Sequence, residues 1–185
     1  MVQGHSSTKL TYADYLLFPD DGLRHEIIEG EHYVSPSPSM RHQRISGRLF
    51  KLIQIYLDTH SAGGEVFYAP FDVLLSEFNV LEPDLGYISS RRSQIITSQN
   101  VQGAPDLVVE ILSPSTRSRD RRLKRDVYER SGVEEYWVVD PDNDLIEVHR
   151  RLYGAFAPPV QYRRGEILTT PLLPDLDLPL DKILA

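Results

Sequence analysis

The segment of residues 105–112 limits the possible folds of this chain most strongly, because its run of Leu, Val and Ile is interrupted by the carboxylate of Glu110. Glycine and proline precede the run, and Ser113-Pro114 follows it, which predicts a central strand covered on both faces. An unpaired carboxylate is costly in such a strand. We therefore expect Glu110 to be protonated, paired with a cation or bound to a metal ion.

Length and composition limit the possible architectures. A chain of 185 residues predicts one domain, residues 1–185, that buries a sizeable core without a structural metal. The absence of cysteine excludes thiol nucleophiles, cysteine zinc sites and disulfide scaffolds. Residues 1–10 are polar and no apolar run approaches the roughly 18 residues of a membrane span, so we expect a soluble, cytoplasmic protein.

The distribution of charge is more informative than its sum. A net charge of −7 argues against a surface that coats a polyanion nonspecifically. Half of the 20 Lys and Arg residues nevertheless lie in two short stretches: Arg41, Arg44, Arg48 and Lys51, and then Arg117, Arg119, Arg121, Arg122, Lys124 and Arg125. These stretches are either two solvated helix faces or a local polyanion site.

Periodicity and turn residues predict alternating strands and helices. Helices are expected at residues 8–18, 40–60 and 118–131, the second preceded by a Ser-Pro connector and the third ended by Gly132. Strands are expected at residues 23–29, 32–35, 65–69, 71–75, 80–89, 105–112, 135–140 and 145–151, with another near 166–169. The first two form a hairpin around Gly30, and residues 90–102 form a loop or an irregular helix.

A second acid offers a partner for Glu110. Asp84 follows Pro83 in the strand expected beside it, and two carboxylates on one sheet face repel unless a cation lies between them. Oxygen ligands of this kind suit Mg²⁺ or Mn²⁺. Two structural alternatives remain open, namely that Asp84 is a strand-end residue and that Glu110 forms a buried ion pair with Lys124.

Pro83-Asp84, followed about 25 residues later by Glu110 in mid-strand, resembles the PD-(D/E)XK motif of the restriction-endonuclease-like superfamily. The lysine of that motif lies two residues after the acid, and here that position is Leu112. Some members carry the lysine on the following helix, where this chain has Lys124. Tyr128 lies one helical turn further on and can share the same face.

Longer blocks of sequence resemble the Uma-two-type endonucleases. They are residues 103–116, Lys124 with Tyr128, residues 132–141, residues 25–31 and His42, within a core of about residues 12–151. The resemblance implies an α/β protein with a restriction-endonuclease-like core, in which a mixed sheet is flanked by helices, with an N-terminal hairpin and extra C-terminal strands.

The resemblance also implies roles for residues of the site. Asp84, Glu110 and the carbonyl of Ile111 would bind Mg²⁺, with Mn²⁺ as a substitute, and Lys124 would orient or activate water. Glu26, His42 and Tyr128 would orient these groups or contact the substrate. Taken alone, His42 on a basic helix face is as readily interpreted as solvent-exposed.

The expected function is Mg²⁺-dependent hydrolysis of DNA phosphodiester bonds by a homodimer. A noncatalytic nucleic-acid-binding or assembly module of the same fold is the alternative, suggested by Leu112 and by the acidic net charge. Hydrolysis of small nucleotides is a third hypothesis. A phosphate-binding loop, a Gly-x-Ser-x-Gly elbow and a His-Glu-x-x-His helix are all absent from the sequence.

Overall fold

Two β-sheets and a β-ribbon form the framework of the protein in a computed structural model, which describes residues 8–60 and 63–185. Residues 1–7 of the polar segment at residues 1–10 lie outside the described residues. The helices are α1 (Tyr12–Tyr15), α2 (Met40–Thr59), α3 (Arg117–Arg119), α4 (Arg125–Ser131) and α5 (Leu180–Ile183). The strands are β1 (Arg24–Ile28), β2 (Glu31–Ser35), β3 (Glu65–Tyr68), β4 (Val73–Ser76), β5 (Asn79–Leu81), β6 (Leu85–Ile88), β7 (Val101–Gln102), β8 (Leu107–Ile111), β9 (Glu135–Asp140), β10 (Leu145–Leu152), β11 (Ala155–Phe156), β12 (Val160–Arg163), β13 (Ile167–Thr170) and β14 (Leu173–Pro179).

The larger sheet has β8 near its centre. Its strand order is β11-β10-β9-β8-β6-β3, and β12 also pairs with β10. The β8 and β9 strands are parallel, whereas the other pairs of this sheet are antiparallel. The predicted mixed sheet is therefore confirmed.

Both faces of β8 are covered, as its apolar composition predicts. Leu107, Val109 and Ile111 belong to the core cluster that contains the buried face of α2. Val108 and Leu112 point the other way, into the cluster that contains Val127 and Tyr128 of the α4 helix. Because side chains alternate along a strand, Glu110 lies on the second of these faces.

The smaller sheet has the order β2-β1-β5-β4-β7 and contains the predicted N-terminal hairpin of β1 and β2. Gly30 lies in the turn of this hairpin with φ of +86°. A Cβ atom there would approach the Lys9 side chain to 2.6 Å, so both the backbone conformation and the space favour glycine.

The predicted amphipathic helix at residues 40–60 is confirmed as α2. Ser39 begins it by accepting a hydrogen bond from the His42 backbone N–H at 3.2 Å. Ile45, Leu49 and Ile53 are fully buried along one side, at the three- and four-residue spacing that the sequence predicts.

Two predicted elements differ from the structure. The helix expected at residues 8–18 is only one turn long, because the Leu10 N–H bonds to the Gly30 carbonyl and Thr11 caps the turn that follows. The strand expected at residues 80–89 is two strands, β5 and β6, which belong to different sheets. Pro83 lies between them and has no N–H to donate to a ladder.

The helix predicted at residues 118–131 contains an unpredicted interruption. A π-helical turn at Asp120–Lys124 separates α3 from α4, and such turns occur frequently at functional sites. Gly132 ends the helix in the left-handed conformation, with φ of 94°, as predicted.

The C-terminal segment adds more structure than the one strand expected near residues 166–169. The β13 and β14 strands form a separate ribbon, and β11 and β12 extend the larger sheet, so the prediction of extra C-terminal strands is confirmed. In the two described ranges of the chain, no helix is both long and apolar enough to cross a membrane.

Candidate active site

Strand pairing brings Asp84 and Glu110 to the same end of the larger sheet. Leu85 of β6 lies opposite Val109 of β8, so Asp84, immediately before β6, stands beside Glu110. The Ile111 backbone N–H donates to Asp84 Oδ2 at 2.8 Å. Asp84 is 2% exposed and Glu110 is 3% exposed. The structure therefore brings together the two carboxylates that the sequence singles out.

The side chains of Arg24 and His42 both contact Asp84. Arg24 Nη1 donates to Asp84 Oδ1 at 2.7 Å, and His42 Nε2 lies 3.0 Å from Asp84 Oδ2. Burial alone would raise the pKa of Asp84, but His42 and Arg24 outweigh it and hold the pKa below its ordinary value. Asp84 is therefore ionised, and His42 is buried beside it instead of being exposed on the helix surface.

Lys124 lies among three carboxylates. Its Nζ is 2.6 Å from Glu26 Oε1, 2.9 Å from Glu110 Oε1 and 3.8 Å from Asp120 Oδ1. Burial would lower the pKa of Lys124, but the three acids raise it. The ion pair between Glu110 and Lys124, one of the alternatives left open by the sequence, is thus present in the structure.

Tyr128 fixes the same oxygen of Glu110. Its hydroxyl donates to Glu110 Oε1 at 2.9 Å, one turn beyond Lys124 on the helix. Glu110 Oε2 accepts no hydrogen bond from the described residues. Burial, followed by the nearby acids, outweighs the attraction of Lys124 and raises the pKa of Glu110 well above its ordinary value. One lysine shared by three acids does not neutralise them all.

Glu26 connects the smaller sheet to this site. Its Oε1 accepts the Lys124 ammonium and also the Glu82 backbone N–H, the latter at 3.0 Å. Its Oε2 lies 3.5 Å from Arg119. Glu26 and Glu110 thus both contact the ammonium of Lys124, and Glu26 joins β1 to the site.

These groups line one cavity of about 220 Å³. Two serine- and proline-containing segments, residues 35–39 and 113–116, also line it. Its charged side chains are Arg24, Glu26, Glu82, Asp84, Glu110, Arg119, Asp120 and Lys124. Five carboxyl groups thus share the cavity with three permanent cations, and carboxyl oxygens are the ligands that a hard divalent cation prefers.

Glu82 also lines the cavity, but no cationic side chain pairs with it among the described residues. It is 8% exposed, and its carboxylate makes no hydrogen bond or ion pair with the described residues. Burial, together with Asp72 and Glu26, raises its pKa from 4.5 to about 7. Glu82 therefore lies buried in the cavity wall, two residues before Asp84.

Replacing Glu82 with glutamine is expected to stabilise the protein at alkaline pH in the presence of a chelator. The raised pKa means that ionisation opposes folding, so stability is lost as pH rises from about 4.5 to above 7. The free energy of unfolding of Glu82→Gln should exceed that of the intact protein by about 3 kcal/mol near pH 8 and by under about 1 kcal/mol near pH 5. Urea denaturation measures both. The exposed Glu77→Gln is the control, and an equal difference at the two pH values would contradict the prediction.

The carboxylate oxygens of the cavity are ligands that suit a hard divalent cation, although in this structure they contact the side chains of Arg24 and Lys124. Across residues 8–60 and 63–185, no three or more His, Asp or Glu side chains are grouped as ligands around one point. Mg²⁺ needs only one or two carboxylates, because it keeps several waters. Asp84 and Glu110 satisfy that requirement, and Glu110 retains one oxygen without a partner among the described residues.

The two basic stretches are largely paired within the protein. Arg41 contacts Asp144 at 2.7 Å, and Arg48 donates to the carbonyls of Ile183 and Ala185. In the second stretch, Arg117, Arg119, Arg121, Lys124 and Arg125 all contact acids. Arg44, Lys51 and Arg122 are exposed and have no side-chain partner among the described residues, so the two stretches combine paired and solvated charge.

Comparison with known proteins places the chain in a family. Residues 12–181 match the model of the Uma2 family, described as "Putative restriction endonuclease". This chain belongs to the Uma2 family. An uncharacterized protein of Synechocystis sp. is 28% identical to it over 148 residues, which are 77% of this chain and 75% of that protein.

A crystal structure described as a "putative nuclease belonging to DUF820", from Anabaena variabilis, has the same fold. It superposes with a TM-score of 0.80 at 19% identity and covers 95% of this chain and 97% of its own. The Uma2 chain therefore has the restriction-endonuclease-like fold that the sequence predicts.

Arg24 and Asp120 are cavity residues of this Uma2 chain that were not predicted from the sequence. Strand parity could have indicated Arg24, because it lies two residues before Glu26 and so shares its face. Asp120, four residues before Lys124 on the same helix, could have been found in the same way.

Proposed function

We propose that this protein is a Mg²⁺-dependent nuclease that hydrolyses DNA phosphodiester bonds. One observation carries the proposal: two acids on adjacent strands and a lysine from the following helix line a single cavity. Membership of the Uma2 family agrees with it.

In this proposal Asp84, Glu110 and the carbonyl of Ile111 hold Mg²⁺, and Mn²⁺ can replace it. Bound there, the metal ion would lower the pKa of the attacking water and neutralise charge on the phosphate. The Ile111 N–H, which donates to Asp84 at 2.8 Å, ties the two acids to one backbone segment. His42 Nε2 lies 3.0 Å from the same oxygen of Asp84, Oδ2, and helps to orient the carboxylate.

Lys124 is the proposed residue that orients the attacking water and stabilises developing negative charge. Its ammonium carries a positive charge because three carboxylates surround it. Glu26 and Tyr128 position Lys124 and Glu110 from either side. An ammonium held by fixed partners needs little reorganisation during the reaction.

Binding of Mn²⁺ by calorimetry tests this proposal directly, with Glu110→Gln as the variant. The amide keeps the shape of the side chain but removes its charge, so the variant should bind Mn²⁺ at least about tenfold more weakly than the intact protein. Glu134→Gln, which alters a carboxylate outside the cavity, is the control and should bind normally.

The same two proteins are then compared in cleavage of plasmid DNA. The intact protein should cleave in Mg²⁺, whereas Glu110→Gln should be at least about 10³-fold slower. Unchanged Mn²⁺ affinity in Glu110→Gln would contradict the proposed ligand set, and an intact protein that binds no Mn²⁺ with or without DNA would contradict the nuclease proposal.

A noncatalytic nucleic-acid-binding or assembly module is the second candidate. The observation that favours it is that Lys124 is fully engaged with Glu26 and Glu110, as a structural lysine would be. This candidate predicts that the intact protein binds nucleic acid without cleaving it. It also predicts that Glu110→Gln binds nucleic acid as tightly as the intact protein does.

We also propose that the protein acts as a homodimer, the arrangement suited to cutting both strands of a duplex. Sedimentation over a range of concentrations tests this. A mass that stays at 21.2 kDa at every concentration would contradict it.

A further inference from the structure

Arg24 occupies a distinctive place in the cavity because Asp84 is its sole partner among the described residues. Its guanidinium donates to Asp84 Oδ1 at 2.7 Å and makes no other hydrogen bond or ion pair there. The Arg24 side chain is 23% exposed, although the carboxylate that it contacts is buried. The Arg24 side chain is thus held by Asp84 alone and is partly accessible to solvent.

Asp84 does not depend on Arg24 for its position. The other carboxylate oxygen, Oδ2, accepts the Ile111 backbone N–H at 2.8 Å and lies 3.0 Å from His42 Nε2. A backbone donor and a buried ring are rigid supports, whereas an arginine side chain is long and flexible. Oδ1 is therefore the oxygen whose partner can change while the carboxylate stays in place.

The charge of Arg24 also acts on the neighbouring acids. Burial would lower the pKa of Arg24, but Asp84, then Glu110 and Glu82, raise it. One guanidinium therefore compensates the same carboxylates that a divalent cation would compensate, and the two compete for the same negative charge.

We propose that Arg24 is a resident counter-cation, which leaves Asp84 when a divalent cation binds and then contacts a phosphate of the nucleic acid. This inference rests on the proposed function. A guanidinium that leaves a carboxylate needs another anion, and phosphate accepts two parallel hydrogen bonds from it. The metal ion and the nucleic acid therefore bind cooperatively, each favouring the other.

Mn²⁺ affinity with and without a short DNA duplex tests this coupling. Electron paramagnetic resonance of free Mn²⁺ gives the dissociation constant of Mn²⁺. The measurement is made at low temperature, and only samples in which gel analysis shows an uncleaved duplex are used. For the intact protein, the duplex should tighten Mn²⁺ binding by about tenfold. For Arg24→Gln without DNA, binding should already be at least about fivefold tighter than in the intact protein, and DNA should change it by less than about twofold.

Two variants serve as comparisons. Arg130→Gln removes an exposed arginine that pairs with Glu29, so it changes the net charge equally outside the cavity and should behave as the intact protein does. Arg24→Lys keeps a counter-cation and should retain a tightening of Mn²⁺ binding by DNA. If Arg24→Gln folds only when Mn²⁺ is present, that dependence supports the inference, because the metal ion then replaces the guanidinium.

Other outcomes overturn the inference. Arg24→Gln and the intact protein could show the same Mn²⁺ affinity and the same response to DNA. That result would rule out the proposed role of Arg24 and leave the nuclease proposal standing. Arg24→Lys could instead bind Mn²⁺ as tightly as Arg24→Gln does, with the effect of DNA on Mn²⁺ affinity lost in both variants. That result would mean that the shape of the side chain matters and not its charge. No Mn²⁺ binding in any protein, with or without DNA, would overturn both proposals.

Discussion

Cleavage of DNA by Lys124→Ala is expected to be at least about 10³-fold slower than cleavage by the intact protein, because the variant loses the ammonium that we propose orients water and stabilises charge. Binding of Mn²⁺ should persist, since Asp84 and Glu110 both remain. Lys51→Ala removes an exposed lysine of α2 and should cleave normally. Plasmid cleavage and calorimetry, at a temperature where circular dichroism shows a folded variant, measure these effects.

The same substitution should also destabilise the fold. Lys124 is 3% exposed and touches three acids, so its loss leaves Glu26, Glu110 and Asp120 buried without their shared cation. Removing one partner of a buried ion pair typically lowers the free energy of unfolding by about 3–5 kcal/mol. A folded Lys124→Ala that cleaves at the intact rate would reduce Lys124 to a structural role. Loss of stability without any cleavage activity in the intact protein would favour the noncatalytic module.

Asp140→Asn is expected to produce the largest loss of stability away from the cavity, about 3–5 kcal/mol near neutral pH. Asp140 is fully buried at the end of β9. It accepts hydrogen bonds from Arg117 at 2.6 Å, Arg121 at 2.9 Å and the Asn143 side chain at 2.9 Å. The amide cannot compensate the two arginines, which lose their common partner.

The pH dependence of this effect follows from the pKa of Asp140. Burial would raise that pKa, but Arg117, Asn143 and Arg121 outweigh it and lower it from 3.8 to about 2. A lowered carboxylate pKa gives stability that is present above about pH 4 and lost as pH falls toward 2. The intact protein should lose about 2 kcal/mol through this residue, and Asp140→Asn should not.

Urea denaturation at neutral and acid pH measures both parts of the Asp140 prediction. Asp142→Asn is the matched control, since Asp142 also pairs with Arg117 but its side chain is 67% exposed. Exposed ion pairs contribute at most about 1 kcal/mol, so the control should be nearly neutral. Equal effects of the two substitutions would show that burial of Asp140 is not what makes it important.

The β8 strand and its acid were predictable because their pattern is local. Glu110 is the one carboxylate among residues 107–112, and a buried strand tolerates a carboxylate only with a partner. The same reasoning found Asp84, and the resemblance to a known family supplied Lys124 and Tyr128. These residues do lie together, with Lys124 and Tyr128 both on Glu110 Oε1.

What the sequence could not predict depends on partners that are distant along the chain. The run at residues 80–89 is one apolar segment in sequence, yet Val80 pairs with Ile27 and Leu85 pairs with Val109, in different sheets. The partners of the basic residues are equally hard to predict from sequence. Arg117 finds Asp140, 23 residues away, and such pairs have no local pattern.

The lysine on the helix, in place of the one usually found on the strand, has a consequence for how the site forms. Glu110 belongs to the sheet and Lys124 to the layer packed on it, with Leu112 left free to join the core between them. The acid and the ammonium therefore meet only through tertiary docking, and no isolated fragment around β8 contains the complete constellation. Partial opening of the helical layer, at a free energy below that of global unfolding, would therefore be enough to separate Glu110 from Lys124 while the sheet stays folded.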